Sequence, residues 1–334
     1  MGWRMSSAQS VNYPMQSTTD SSGNIFVSQY YIYGVKKFTY ANKKIDTNWG
    51  DSGVHKGRSS SSQCRVYYNY GSAKIHNGII YVPSYYDRKI RMIRESDGAC
   101  LGSITINQYI TGFDIHTISG TAHLFALHRG GVYTRNLSNN VSKTCSHGNN
   151  NYLRYTFAAA ANSETAGNYL YTYYANRIAR FELVASGNNF CPQPSGYKTT
   201  SRSMGSVYGM TAHTTNAGEL YFMSYSNSKL YMVTVHANGT SHTLNWTKGS
   251  RRYNGTSSSS ALYFYYPLGV HYDDTNNRII TSGYNSRTVE ILDDNGDWIK
   301  TIGGAATTRM KAAQDAIKSI VTDSDLTLSL IHIS

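Results

Sequence analysis

Proline is scarce in this chain, five in 334 residues, and acidic residues are outnumbered, with 19 Asp and Glu against 31 Lys and Arg. No apolar run approaches the roughly 20 residues that cross a bilayer as a helix. The opening MGWRMSSAQSVNYPMQ lacks the apolar core of a secretory signal, so a protein outside the membrane is expected. There are four cysteines, Cys64, Cys100, Cys145 and Cys191, and no two stand at the C-x-x-C spacing of a zinc or redox site. The few carboxylates do not cluster, and no nucleophile elbow, phosphate loop or Ser/His/Asp grouping is present. These absences predict a chain with no catalytic activity, no cofactor and no bound metal. The net charge of +12 is carried by single residues and pairs such as Lys36 with Lys37 and Arg251 with Arg252. Without a dense basic run it reads as a solvated surface, and nucleic acid is not the expected partner.

What is abundant points to strands. Thirty Tyr and 29 Gly, with Ser, Thr and Asn throughout, suit half-buried pleated segments joined by tight polar turns. One strand–turn–strand pattern recurs six times, beginning at Gly23, Asn77, Gly120, Gly167, Gly218 and Asn276. Examples are GNIFVSQYYIYGVKKFTY, GELYFMSYSNSKLYMVTV and NNRIITSGYNSRTVEILDDNGDWIKTIGG. The first apolar residues of these units are Ile25, Ile79, Leu124, Leu170, Leu220 and Ile279, so successive units lie 45 to 59 residues apart. That is the period of a four-stranded blade with loops of variable length. Each unit follows a short apolar run such as TGFDIHTISG or PLGVHYDDTNN, and most are followed by a further strand such as ACLGSITI. The predicted order is therefore inner strand, two alternating strands and outer strand. A single sheet of this kind leaves both faces uncovered, and a closed ring of six buries them against neighbours.

The pattern G-x-[IL]-[YF]-[VT], a polar turn, [NR]-[RK]-[IL]-x-x-[FI] and a D-G or N-G turn resembles the NHL repeat, over roughly residues 11 to 304. The resemblance implies an all-β, six-bladed propeller of four-stranded antiparallel blades. One departure is visible: where that family places Asp after the second strand, this chain has Tyr or Ser, as in SQYY, PSYY, YTYY and MSYS. Relatives that are lyases or hydrolases hold a metal near the axis, which makes a metal-dependent lyase or hydrolase an alternative reading. His76, His116 and His213 end inner strands at matching positions, with His271 two residues earlier in its unit. They suit either that metal or, as expected here, closure of the turn between inner and second strands.

Tyr30, Tyr31, Tyr85, Tyr86, Tyr173, Tyr174, Tyr225 and Tyr284 fall at the turns between second and third strands, on the face where propellers usually bind. Amphipathic rings gathered there suit sugars or protein partners, although such rings also pack between blades. N-x-[ST] triplets begin at Asn136, Asn140, Asn238, Asn245 and Asn254 and mark candidate N-linked glycans. With an even cysteine count, they predict a secreted, disulfide-bonded glycoprotein whose signal is absent from the sequence. Four cysteines allow three pairings; the pairing of sequence neighbours, Cys64 with Cys100 and Cys145 with Cys191, is expected.

After Gly304 the pattern changes. Met310, Ala313, Ile317, Ile320 and Val321 stand at helical spacing, and LTLSLIHIS ends the chain as an alternating strand with Leu326, Leu328, Leu330, Ile331 and Ile333. The chain therefore divides into a propeller, residues 1–304, and a tail, residues 305–334. That last strand is surplus to the ring, and either folds back on its own molecule or pairs with a neighbouring subunit, building a filament. The expected function is an extracellular structural or interaction protein that assembles into a glycosylated fibre through this strand. The alternative of the same class is a monomeric propeller that binds a glycan or protein on its tyrosine face.

Overall fold

A computed structural model of the protein describes residues 11–30, 32–56, 64–70, 72–148, 150–164, 167–252, 257–258 and 260–303. Six antiparallel sheets follow one another along the chain. Their innermost strands are Pro14–Thr19, Lys74–His76, Ile110–Ile118, Ala159–Glu164, Val207–Ala212 and Pro267–Asp273. The six residues that opened the repeat units all lie in the second strands, Ile25–Gln29, Ile79–Ser84, Thr121–His128, Gly167–Tyr174, Glu219–Ser224 and Arg278–Gly283. The chain is thus an all-β six-bladed propeller. Helix is confined, among the described residues, to the single turn Asn151–Arg154. The expected tail helix and strand, including Leu326, Leu328, Leu330, Ile331 and Ile333, lie outside the described residues.

The core lies between the blades, because alternation along each strand gives a sheet two apolar faces that only its neighbours can cover. Each of the six junctions has its own buried cluster. Phe26, Trp49 and Ile80 join blades 1 and 2, and Phe113 and Tyr81 join blades 2 and 3. Phe125 and Phe181 join blades 3 and 4, Tyr173 and Phe222 blades 4 and 5, and Tyr221 and Ile279 blades 5 and 6. Val27 and Ile291 close the ring between blades 6 and 1. A buried ion pair adds to that closure: Arg278 Nε donates to Asp273 Oδ2 at 2.6 Å, and its Nη2 donates to the Gly23 carbonyl at 2.6 Å. Near the axis the inner strands crowd together, and glycine stands where they meet. A Cβ on Gly209 would lie 2.6 Å from the Leu268 carbonyl oxygen, and one on Gly269 would lie 2.5 Å from that of Met15.

Blade 1 corrects the expectation of four strands everywhere. Among the described residues it has three, ending at Gly34–Phe38, and an irregular segment covers the free edge. Lys37 N donates to the Gly53 carbonyl at 3.2 Å, Asp46 N to that of Lys37 at 2.9 Å, and His55 N to that of Val35 at 3.0 Å. The ladder is satisfied without a strand because Trp49 is buried in this segment and its Nε1 donates to the Glu95 carbonyl at 2.7 Å, fastening it to blade 2. Both disulfides join sequence neighbours. Cys64–Cys100 ties the connection out of blade 1 to the outer strand of blade 2, and Cys145–Cys191 links the outer strands of blades 3 and 4. Two such bonds, with no free cysteine, suit an oxidising compartment.

Candidate binding face: the tyrosine and arginine end of the ring

Antiparallel pairing brings two kinds of connection to one end of every blade: the turn between second and third strands, and the link from one blade into the next inner strand. In blade 2 the registers Ser84↔Lys89 and Lys89↔Thr105 place both at the same end. Aromatic rings from all six blades meet there. One continuous path runs Tyr13–Tyr284–Tyr30–Tyr68–Tyr70–Tyr208–Tyr225–Tyr266, with centroid separations from 4.6 to 6.3 Å. Tyr70 is its hub, also touching Tyr85 at 5.0 Å and Phe157 at 5.1 Å. From Tyr85 the path continues to Tyr109 at 4.9 Å. Burial raises the hydroxyl pKa values of Tyr70, Tyr85, Tyr208 and Tyr225, so these groups stay neutral donors at physiological pH.

Two features mark this end as more than packing. Tyr13, Tyr33, Tyr68 and Tyr266 hold φ between 49° and 55°, the left-handed region that bulky residues rarely adopt. Strain of order 1–3 kcal/mol per residue persists where surrounding structure enforces it, and such residues cluster at functional sites. The second feature is charge. Arg65, Arg88, Arg129, Arg154, Arg177, Arg202, Arg251, Arg252 and Arg287 lie in the connections of this end or at the strand residues that border them, and Asp87 is the one carboxylate beside them among the described residues. Asp87 already accepts from Arg91 at 2.6 Å and Arg65 at 3.3 Å. Several of the arginines sit over rings, with Arg88 4.5 Å from Tyr109, Arg287 4.5 Å from Tyr13 and Arg251 4.6 Å from Tyr266. Between blades 4 and 5 the floor opens into a slot of about 370 Å³, lined among others by Tyr155, Phe157, Tyr173, Tyr174, Tyr208 and Asn176, with Ser206 and Ser226 at its rim.

The opposite end differs. Its turns carry Asp20, Glu95, Asp97, Glu219, Asp274 and Asp294, and its axial cavity of about 480 Å³ is lined by His76, His271, Lys74 and Thr211. Lys74 Nζ bonds Asp114 at 2.8 Å. His271 Nε2 accepts from the Thr19 backbone N–H at 3.3 Å, so the ring proton sits on Nδ1, a buried atom with no protein acceptor. Burial, with Lys74 and Arg278 adding, holds this imidazole well below its ordinary pKa, so it is neutral. The other histidines engage local partners. His213 Nδ1 accepts from the backbone N–H groups of Thr215 and Asn216 at 3.2 Å, closing its turn as expected. His116 instead reaches into the next blade, to Ser163 at 3.0 Å and Asn168 at 3.1 Å. Among the described residues no three His, Cys, Asp or Glu side chains converge as metal ligands would.

No protein-family model matches this sequence, and no curated protein matches it. Solved structures do match in shape. Virginiamycin B lyase from Staphylococcus aureus superposes with a TM-score of 0.51 at 10% identity, over 88% of this chain and 85% of that one. The Swd1 β-propeller domain of Myceliophteria thermophila gives 0.54 at 10% identity, over 90% and 89% of the two chains. An auxiliary nutrient binding protein from Bacteroides thetaiotaomicron gives 0.53 at 12% identity, over 84% and 68%. At these identities the likeness establishes the propeller fold; the NHL family itself is not established by it. It also corrects one expectation. A chain without catalytic activity does not follow from this architecture, since the lyase shares it.

Of the tyrosines expected on the face, Tyr30, Tyr85, Tyr86, Tyr174, Tyr225 and Tyr284 belong to it, and Tyr86 is 51% exposed. Tyr173 does not. It is 5% exposed within the core between blades 4 and 5, where its hydroxyl donates to the Arg202 carbonyl and accepts from Met204 N at 2.8 Å. Tyr31 lies outside the described residues. More than half of the face was missed: Tyr13, Tyr67, Tyr68, Tyr70, Tyr109, Tyr155, Phe157, Tyr265 and Tyr266 lie in links leading into inner strands, Tyr208 is the second residue of the inner strand Val207–Ala212, and Tyr33 lies in the turn of blade 1. The aromatic close before most inner strands, as in VNYP, NQYI and FYYP, was the available signal.

The sequons divide as well. Asn140, Asn238 and Asn245 are exposed, the first two in turns at the acidic end and the third on the outer strand of blade 5. Asn136 is 8% exposed, and its Nδ2, the atom a glycan would occupy, donates to the Asn188 carbonyl at 3.1 Å. Asn254 lies outside the described residues.

Proposed function

We propose that this protein is an extracellular interaction module that docks a macromolecular partner on its tyrosine and arginine end. The observation that carries this reading is the floor of rings drawn from all six blades, strained at four tyrosines and flanked by arginines. Tyr and Arg are the residues that dominate binding energy at interfaces, because they combine large rigid area with polar edges. Glycans on Asn140, Asn238 and Asn245 would project from the far end and the flank, leaving this face open. A glycan array and a panel of extracellular proteins test the reading. Tyr86→Ala with Tyr109→Ala should abolish capture by the folded protein, and undiminished capture would refute it.

Self-assembly into a fibre is the second reading. It rests on the alternation of Leu326, Leu328 and Leu330 and needs an acceptor edge other than that of blade 1, whose ladder is already filled. Deleting residues 323–334 should leave folded monomers, and polymers that survive the deletion would rule it out.

A further inference from the structure

We infer that the ligand of the tyrosine and arginine end is an acidic polysaccharide of the polyuronate class. One sugar ring enters the slot between blades 4 and 5, and carboxylates along the polymer meet the surrounding arginines. The inference rests on the docking role proposed above and narrows it by charge, ring geometry and compartment.

Among the described residues nine arginines share this end with one carboxylate, and that carboxylate is already paired with two guanidinium groups. A polymer with a negative charge on each unit complements such a field at many points, and planar guanidinium groups match carboxylates in bidentate fashion. Ring geometry separates sugars from nucleic acids. Bases stack on platforms that present open faces. Here the rings mostly meet edge to face, Tyr70 on Tyr85 at 89°, Tyr85 on Tyr86 at 88° and Phe157 on Tyr208 at 82°. Such a floor alternates apolar faces with hydroxyl-bearing edges, which is also the alternation of a pyranose, with its C–H faces and equatorial hydroxyls. The slot repeats that chemistry in concave form: five aromatic side chains and a rim of Asn176, Ser206 and Ser226, around about 370 Å³. Two disulfides suit an oxidising extracellular compartment, where anionic glycans are found and free nucleic acid is scarce.

Affinity electrophoresis and calorimetry with sodium polygalacturonate test this, with its fully methyl-esterified form, dextran, poly-L-glutamate and poly(dT) as comparators. Polygalacturonate should bind at least tenfold more tightly than any comparator and weaken steeply with added salt. Arg88→Gln, Arg177→Gln and Arg251→Gln together should lower affinity tenfold or more and flatten the salt dependence. Tyr174→Ala should weaken binding with the salt dependence intact. Circular dichroism and melting confirm that each variant folds. Equal binding of the methyl ester would show that charge is not read, and equal binding of poly(dT) or polyglutamate would show that the sugar is not; either overturns the inference. If polygalacturonate does not bind but another glycan or a protein is lost on Tyr86→Ala with Tyr109→Ala, the inference falls and the docking role stands. If no binding responds to those tyrosines, both fall.

Discussion

The two ends of the ring are built by the same repeat and carry opposite chemistry. At the acidic end, charge is used inside the fold: Asp273 and Arg278 are 1% and 4% exposed and fasten blade 6 to blade 1. At the tyrosine end charge is left outside, on arginines lying over rings at the surface of a floor. The comparison teaches that the repeat fixes strands and junctions but leaves the turns free, and each end of a propeller is composed of turns alone. Function can therefore be placed at one end without disturbing the packing between blades.

Four substitutions or conditions probe that contrast, in order of expected effect. Asp273→Ala leaves Arg278 buried without its partner and should cost about 3–5 kcal/mol in chemical denaturation, while binding at the far end by surviving folded protein stays unchanged. Gly209→Ala drives a Cβ against the backbone of blade 6, and overpacking of this kind should cost about 1–3 kcal/mol; a thermal melt reads it. Acid should weaken the fold through the acidic end. His271 is neutral when folded and its pKa lies well below the ordinary 6.5, chiefly through burial. The unfolded chain therefore takes up the proton first. Its contribution is complete above about pH 6.5 and is lost progressively as pH falls toward the folded value. Melting temperature should decline from pH 7 to pH 5, and His271→Gln should make that decline shallower. Smallest of all, Arg88→Gln and Arg251→Gln should change stability by no more than about 0.5 kcal/mol, since both are exposed. A large loss there would mean that the arginines support the fold, and the contrast between the ends would disappear.

Legibility followed the same division. Second strands announced themselves through alternating runs, since their side chains face two apolar junctions at once, and all six were read correctly. The outer edge of blade 1 was not, because a buried Trp49 and backbone bonds from 44–55 replace a strand that no local pattern forbids. Tyr173 and Tyr174 are adjacent and chemically identical and both border the slot, yet only Tyr173 is also buried in the core between blades 4 and 5; alternation along the strand decides between them. The aromatic links into the inner strands went unread because they have no periodicity, only a shared destination.

By itself the sequence determined the six units, their second strands and the closed ring, since periodicity is a local property that survives without coordinates. It left three cysteine pairings open, of which the structure holds the one between sequence neighbours. Tertiary structure alone decided that rings from all six blades meet in one floor, that nine arginines among the described residues gather at a single end, and that Asn136 turns inward. Those are sums over residues far apart in the chain, and only closure of the ring brings them together.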